Sequence, residues 1–132
     1  MLAAIGDTWA TEGHCWAISR ASSTVRVEAP KAPLRWGFAK VARKSGAFAQ
    51  SIAIAVMQGK NGPVSATLGG AGPRPLPLTA TSHQLTLIGS TEEQVRGAIS
   101  TDLDTYFAGL DAYQKRMHTA NILRAARDMQ AQ

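Results

Sequence analysis

The sequence predicts an α+β fold whose clearest strands pair in antiparallel fashion. Three observations indicate this class: an alternating apolar run at 50–57, a glycine-rich reversal leading into a second run at 64–68, and helical apolar spacing after Ser90. Strands that precede helices, rather than alternate with them, favour an α+β sandwich over a parallel βαβ sheet. A chain of 132 residues with 45% hydrophobic content suits one domain with a real core.

The N-terminal part is predicted as an irregular arm over residues 1–22, followed by one α+β domain over residues 23–132. That domain begins with a predicted strand at 24–28, where apolar and polar residues alternate. The segment 36–43 fits either a strand or a helix. Trp36 and Phe38 fall on one face of a strand, but the same segment also fits a helix.

The hairpin is the best-defined part of the predicted sheet. In its first strand the larger apolar residues share one face and alanines occupy the other: Ile52, Ile54 and Val56 against Ala53 and Ala55. Because both faces are apolar, we expect both to be covered. Asn and Gly at 59–62 suit a tight reversal. The proline-rich run 69–77 is predicted to be a rigid loop that leaves the sheet.

Helices are predicted for the last third. Ser90 with Glu93 three residues later matches a capping box, and Asp111 matches a second N-cap. The predicted inner stripes are Val95, Ala98, Ile99, Leu103 and Tyr106 in one helix, and Tyr113, Met117, Ala120 and Leu123 in the next. Residues 78–89 fit either a short strand or one helical turn.

The net charge of +5 is concentrated in the middle of the chain. Residues 29–90 contain no acid, and their basic residues are Lys31, Arg35, Lys40, Arg43, Lys44, Lys60 and Arg74. Such a segment is expected to attract nucleic acid, a phosphate-bearing cofactor or an acidic protein surface, or to form a solvated rim.

The histidines and the cysteine do not indicate a catalytic or metal site. His14, His83 and His118 lack metal-ligand spacing, and the single Cys15 forms no internal disulfide. Adjacent residues on an extended chain point in opposite directions, which disfavours His14 as a base for Cys15. The lone thiol, the lack of a signal-peptide pattern and the lack of a membrane-length apolar run together predict a cytoplasmic protein.

Two further motifs also favour structural roles. The glycine-rich run 69–72 is followed by prolines at 73, 75 and 77, so no helix N-terminus is expected there to hold a phosphate. Asp102 and Asp104 fall on different helix faces and do not form an acid–base pair. No catalytic residue and no metal ligand are predicted.

Three motifs resemble the C-terminal domain of the flavin subunit of molybdenum hydroxylases, the carbon monoxide dehydrogenase and xanthine dehydrogenase family. Residues 36–49 are similar to the run that opens that domain, with aromatic, basic and small residues before an apolar strand. Residues 68–75 resemble its Gly-Gly loop. Tyr113, with Arg124 and Ala125 following, resembles its final helix. Ala47 departs from the pattern, because the family usually has Asp there.

The resemblance implies a sheet of three or four antiparallel strands backed by about three helices. It further implies an accessory domain of a flavin-dependent oxidoreductase complex that is not catalytic alone. FAD would be held mainly by a preceding domain that this chain lacks, so the chain alone is expected to bind none. Implied partners are that FAD-binding domain, an iron–sulfur subunit and a molybdopterin subunit, without a membrane. Lys40 matches a basic position near the cofactor, although a lysine at the rim is an equal alternative.

A second hypothesis is that the chain is a stand-alone interaction module. Its basic patch, Lys40, Arg43 and Lys44, would bind an acidic protein or nucleic acid in a salt-sensitive manner. Trp36 and Phe38 lie close to this patch in the sequence. No RNA- or DNA-binding motif accompanies these residues, which makes nucleic acid the weaker of the two partners.

Overall fold

The computed structural model describes residues 26–132. The chain divides into a unit Met1–Ala32 and a compact unit Pro33–Gln132. The predicted arm at 1–22, with His14 and Cys15, lies outside the described residues. Of the strand predicted at 24–28, the described part contains only an isolated bridge at Val27. The prolines at 30 and 33 lack the N–H that a continuing ladder needs, which explains why no strand extends through them.

The compact unit has the predicted α+β fold, with an antiparallel sheet in the order β1-β2-β3-β4. The strands are β1 Leu34–Ala42, β2 Ala49–Gln58, β3 Val64–Gly69 and β4 Leu76–Pro77. The helices are α1 Thr79–Thr86, α2 Glu92–Tyr106 and α3 Ala112–Ala131. The open choice at 36–43 is thus resolved as strand β1, which pairs with β2 through partners such as Phe38 and Ile54.

The run 69–77 differs from its prediction, because the chain returns to the sheet. Leu76 and Pro77 pair with Leu68 and Thr67 as the short strand β4. Pro77 is tolerated because β4 is an edge strand, where a missing donor breaks no ladder. The turn depends on Gly70, which has φ +90°, and a Cβ there would lie 2.6 Å from the carbonyl oxygen of Gln50. Glycine therefore allows the close packing and sharp exit expected of this run.

One face of the sheet carries the helices. α3 packs across β1 and β2, and α1 packs against β3. The side chains of β2 that face α3 are small, since Ala53 and Ala55 are 1% and 2% exposed. Gly37 of β1 brings the backbones together, because a Cβ on it would lie 1.7 Å from the carbonyl oxygen of Ala125. Small residues therefore set the distance between sheet and helix.

Residues 79–86 form a two-turn helix, which neither sequence alternative foresaw in full. The N-cap residue, Leu78, has no capping side chain. Instead the carboxylate of Asp102 in α2 accepts hydrogen bonds from the backbone N–H groups of Ala80 and Thr81, at 3.1 and 2.7 Å, and from the Thr81 hydroxyl at 2.7 Å. Helix α1 is thus capped from a distant element, which local sequence patterns do not reveal.

Helix α2 begins one residue later than predicted. Thr91 is the N-cap and forms a capping box with Gln94. The Ser90 hydroxyl instead binds the carbonyl oxygens of Gln84 and Leu87. At the other end of α2, Tyr106 was predicted to face the core but is 40% exposed. Phe107, which is 5% exposed, occupies the core in place of Tyr106.

Helix α3 has the predicted cap at Asp111, with Gln114 completing a capping box. Its inner stripe is shifted from the prediction, since Tyr113 is 66% exposed and Ala120 is also exposed. The buried residues of α3 are His118, Asn121, Ile122, Leu123, Ala125, Ala126 and Met129. The shift arises because two polar residues, His118 and Asn121, are buried through hydrogen bonds rather than through hydrophobicity.

Candidate functional site: the outer sheet face

The face of the sheet opposite the helices is apolar and accessible. We define the outer sheet face by the side chains of Leu34, Trp36, Phe38 and Lys40 on β1 and of Ile52, Ile54 and Val56 on β2. Trp36 is 55%, Phe38 46% and Ile54 40% exposed. The prediction that both faces of β2 are covered is therefore wrong at Ile54, whereas Ile52 and Val56 are half-buried. The alanines turn toward the helices and the larger residues turn away.

Strand register joins these side chains into one surface. Trp36 lies opposite Val56, and Phe38 lies opposite Ile54. Directly opposed residues on the same face of an antiparallel pair stand close enough for their side chains to touch. Adjoining apolar groups differ from isolated surface hydrophobics, because a contiguous patch marks an interaction surface.

Lys40 lies at one end of this face. It is exposed and is paired in register with Ile52, which is paired in turn with Gly69 of β3. The salt bridges found among residues 26–132 join Arg96 and Arg127 to Glu92 and Lys115 to Asp104. None of these involves Lys40.

More basic residues collect at this end of the sheet. Arg43 and Lys44 lie exposed in the turn between β1 and β2, and Arg74 lies exposed in the loop that follows β3. We call Lys40, Arg43, Lys44 and Arg74 the basic end. Phe48, in the same turn, is 99% exposed. Arg35 and Lys60 lie at the opposite end, beside the β2–β3 hairpin. The basic residues from the middle of the sequence therefore lie at two opposite ends of the sheet.

A polar cluster lies between the sheet and α3. Ser51, His118 and Asn121 are 0%, 1% and 3% exposed. The Asn121 amide donates to the Ala39 carbonyl oxygen at 3.1 Å and to Ser51 Oγ at 2.9 Å, and His118 Nδ1 is 2.9 Å from Ser51 Oγ. Burial lowers the pKa of His118 from its ordinary value of 6.5, because the imidazolium form would be desolvated. The imidazole is therefore neutral at pH 7.

The buried imidazole should make folding stability dependent on pH. Because the unfolded chain binds a proton on His118 more readily than the native one, the unfolding free energy should rise with pH. This contribution is fully present above pH ~6.5 and is lost as pH falls toward the lowered native pKa, by at most about 1.4 kcal/mol per pH unit. Urea titrations between pH 5 and 8 measure it. His118→Gln should flatten this part of the profile, whereas the exposed-site control His83→Gln should retain it; equal flattening in both variants would contradict the assignment.

Two carboxylates of α2 make structural contacts. Asp102 caps α1, and Asp104 forms a surface ion pair with Lys115. No group of three or more potential metal-ligating residues occurs within residues 26–132. In this same part of the chain, no helix is long and apolar enough to cross a membrane.

Comparison with known proteins identifies the fold. No protein-family model and no curated protein matches the sequence. Solved structures do match: CO dehydrogenase from Oligotropha carboxidovorans at TM-score 0.65 and 19% identity, CO dehydrogenase from Hydrogenophaga pseudoflava at 0.65 and 23%, and quinoline 2-oxidoreductase from Pseudomonas putida 86 at 0.59 and 23%. A Cu,Mo-CO dehydrogenase matches at TM-score 0.66 and 19% identity.

These matches cover 81–82% of this chain but only 40–42% of the solved chains. The chain thus spans about two fifths of the length of the proteins that it resembles. At this level of identity the likeness establishes a shared fold, the α+β architecture of a segment of CO dehydrogenase and quinoline oxidoreductase chains.

Proposed function

We propose that this chain is the accessory C-terminal domain of the flavin subunit of a molybdenum hydroxylase. In this role its outer sheet face docks on the domain that binds FAD, and the pair helps to enclose the cofactor. The complex would pass electrons from iron–sulfur clusters to an acceptor, after hydroxylation at a molybdopterin subunit. The chain itself supplies an edge and a contact surface rather than the reacting groups.

The exposed outer sheet face is the observation that carries this proposal. Trp36 and Phe38 leave about half of their surfaces accessible, and both lie in the run at 36–49 that carries the family resemblance. Aromatic side chains at the centre of a patch are the residues on which interfaces depend most. The matched structures have additional chain beyond the common segment, which supports a neighbouring domain as the occupant.

Within this proposal Lys40 is the residue nearest to the cofactor. It stands at the border between the outer sheet face and the basic end. A lysine ammonium there would supply a positive charge to a phosphate or to a reduced flavin. Lys40→Gln should therefore leave docking intact and weaken only the retention of FAD.

The docking claim is testable with the isolated FAD-binding domain of a flavin subunit from the same organism. The double variant Trp36→Ser/Phe38→Ser should bind that domain about 1,000-fold more weakly, because each of the two buried aromatic anchors contributes about 2 kcal/mol. Calorimetric titration measures the affinity. Tyr113→Ser, which alters a tyrosine 66% exposed on α3, is the matched control and should bind as the native chain does. Equal binding by native chain and double variant would refute docking through this face.

A second candidate rests on the basic end. Arg43 and Lys44 lie in the same turn as the exposed Phe48, and Lys40 and Arg74 lie at the same end of the sheet, which suits an acidic protein surface. Here Arg43→Glu/Lys44→Glu would remove binding and Trp36→Ser/Phe38→Ser would not. The same titration series therefore separates the two candidates.

A further inference from the structure

A cleft of about 300 Å³ lies beside the N-terminal half of α3, apart from the outer sheet face. Its wall includes Gln50 of β2, Gly70 after β3, and Asp111, Gln114 and His118 at the start of α3. His118 is the one buried side chain among these residues, at 1% exposure. The buried polar cluster therefore reaches the surface through this cleft.

The hydrogen bonds of the cluster define the position of the imidazole proton. Asn121 donates one amide hydrogen to the Ala39 carbonyl oxygen and the other to Ser51 Oγ. The Ser51 hydroxyl then needs an acceptor, and within residues 26–132 only His118 Nδ1 lies within reach, at 2.9 Å. An imidazole that accepts at Nδ1 and is neutral carries its proton on Nε2.

The Nε2 proton lacks an acceptor among residues 26–132. Buried donors in folded proteins are almost always satisfied, by protein, by water or by a ligand. Nδ1 is directed at Ser51 and His118 contributes to the cleft wall, and from this we place the unsatisfied Nε2 donor at the cleft. The cleft is thus suited to an occupant with a hydrogen-bond acceptor.

The charge of the wall restricts the class of occupant. No Lys or Arg lines the cleft, whereas Asp111 does. Because the Asp111 carboxylate already occupies the positive N-terminus of α3, a carboxylate or phosphate would meet its negative charge without a further compensating group, so the acceptor should be a neutral carbonyl. Gln50 and Gln114 also line this wall. Because Gln114 Oε1 already accepts from the Asp111 N–H at 3.0 Å, the Gln114 side chain offers only donors, and Gln50 is the amide that can both donate and accept.

We propose that this cleft binds a small neutral molecule that carries a carboxamide or a ring lactam. The carbonyl oxygen accepts from His118 Nε2, and the amide N–H groups pair with Gln50. The Tyr113 ring, also on the wall, covers the apolar part of the ligand. The site is independent of docking by the outer sheet face.

Nuclear magnetic resonance of the full chain tests the proposal with two matched probes, benzamide and benzoate at pH 7.5. The ¹⁵N shifts of His118 should show a neutral ring protonated at Nε2. Benzamide should give saturable shifts at His118 and Gly70, and benzoate should bind at least ~10-fold more weakly. Gln50→Leu should weaken the binding of benzamide by ~5-fold or more. Ile88→Ser changes a distant surface residue that is 87% exposed, and this control should leave the affinity for benzamide unchanged.

Three results would overturn the proposal. The first is a His118 ring protonated at Nδ1, because the donor would then point at Ser51. The second is equal or tighter binding of benzoate, which would mean an anion site. The third is an absence of saturable shifts with both probes, which would mean that the cleft holds water alone.

Discussion

Replacing Gly37 with alanine is expected to destabilise the fold by at least about 3 kcal/mol, a severe loss for a domain of this size. The added Cβ would lie 1.7 Å from the carbonyl oxygen of Ala125 and 2.7 Å from the backbone nitrogen of Met129. Both contacts are with helix backbone, so no side-chain rotation relieves them. Helix α3 would have to move away from β1, which would open the core between them.

Gly97→Ala is the matched control for this variant. Gly97 lies in helix α2, and nothing stands within 4 Å of a Cβ placed on it. Alanine there should stabilise the protein by about 0.5–1 kcal/mol, because glycine is the poorer helix former. Urea denaturation of both variants compares them directly. Similar midpoints for the two variants would show that α3 does not press on β1 as the structure describes.

Replacing Asp102 with alanine is expected to cost about 3 kcal/mol in unfolding free energy. The carboxylate is 2% exposed and accepts from the N–H groups of Ala80 and Thr81 and from the Thr81 hydroxyl. Its removal would leave the first turn of α1 without acceptors inside the protein. Helix α1 should then lose protection in hydrogen exchange before the sheet does.

Asp104→Ala, two residues away on the same helix, is the control for Asp102→Ala. Asp104 pairs with Lys115 at 2.6 Å, but both side chains are about half exposed. Exposed ion pairs contribute little, so this variant should lose less than about 1 kcal/mol. Equal losses at both positions, or retained protection of α1 in Asp102→Ala, would show that Asp102 is not the cap of that helix.

Local patterns predicted the parts of the fold that local forces determine. The hairpin of β2 and β3 and the cap at Asp111 were foreseen, because turn and capping chemistry is carried by adjacent residues. Helix α1 was foreseen only as a single helical turn, beside the alternative of a strand, because its cap comes from Asp102 in another element. Leu123 was placed correctly on the inner stripe of α3. Tyr113 and Ala120 were misplaced there, because burial of His118 depends on Ser51, a distant partner.

The candidate site was predicted only in part. The family resemblance drew attention to Lys40 and to the run at 36–49, but not to a surface. β2 is apolar on both faces, so alternation did not reveal which face meets the helices. One sequence signal could have identified the helix-facing side. Gly37 and Ala39 of β1 are paired with the small residues Ala55 and Ala53 of β2. Small residues on one face of adjacent strands indicate a closely packed helix. By elimination, Trp36 and Phe38 point away from that helix.

The retention of FAD by the docked pair tests the central claim most directly. The isolated FAD-binding domain of a flavin subunit from the same organism is loaded with FAD, and the recovery of flavin fluorescence on dilution reports FAD release with and without this chain. We expect the native chain to slow FAD release, the Trp36→Ser/Phe38→Ser variant to have no effect, and Lys40→Gln to act only in part. FAD release that is unchanged by the native chain, or stoichiometric FAD on the isolated chain, would contradict the proposal that this chain is an accessory flavin-subunit domain.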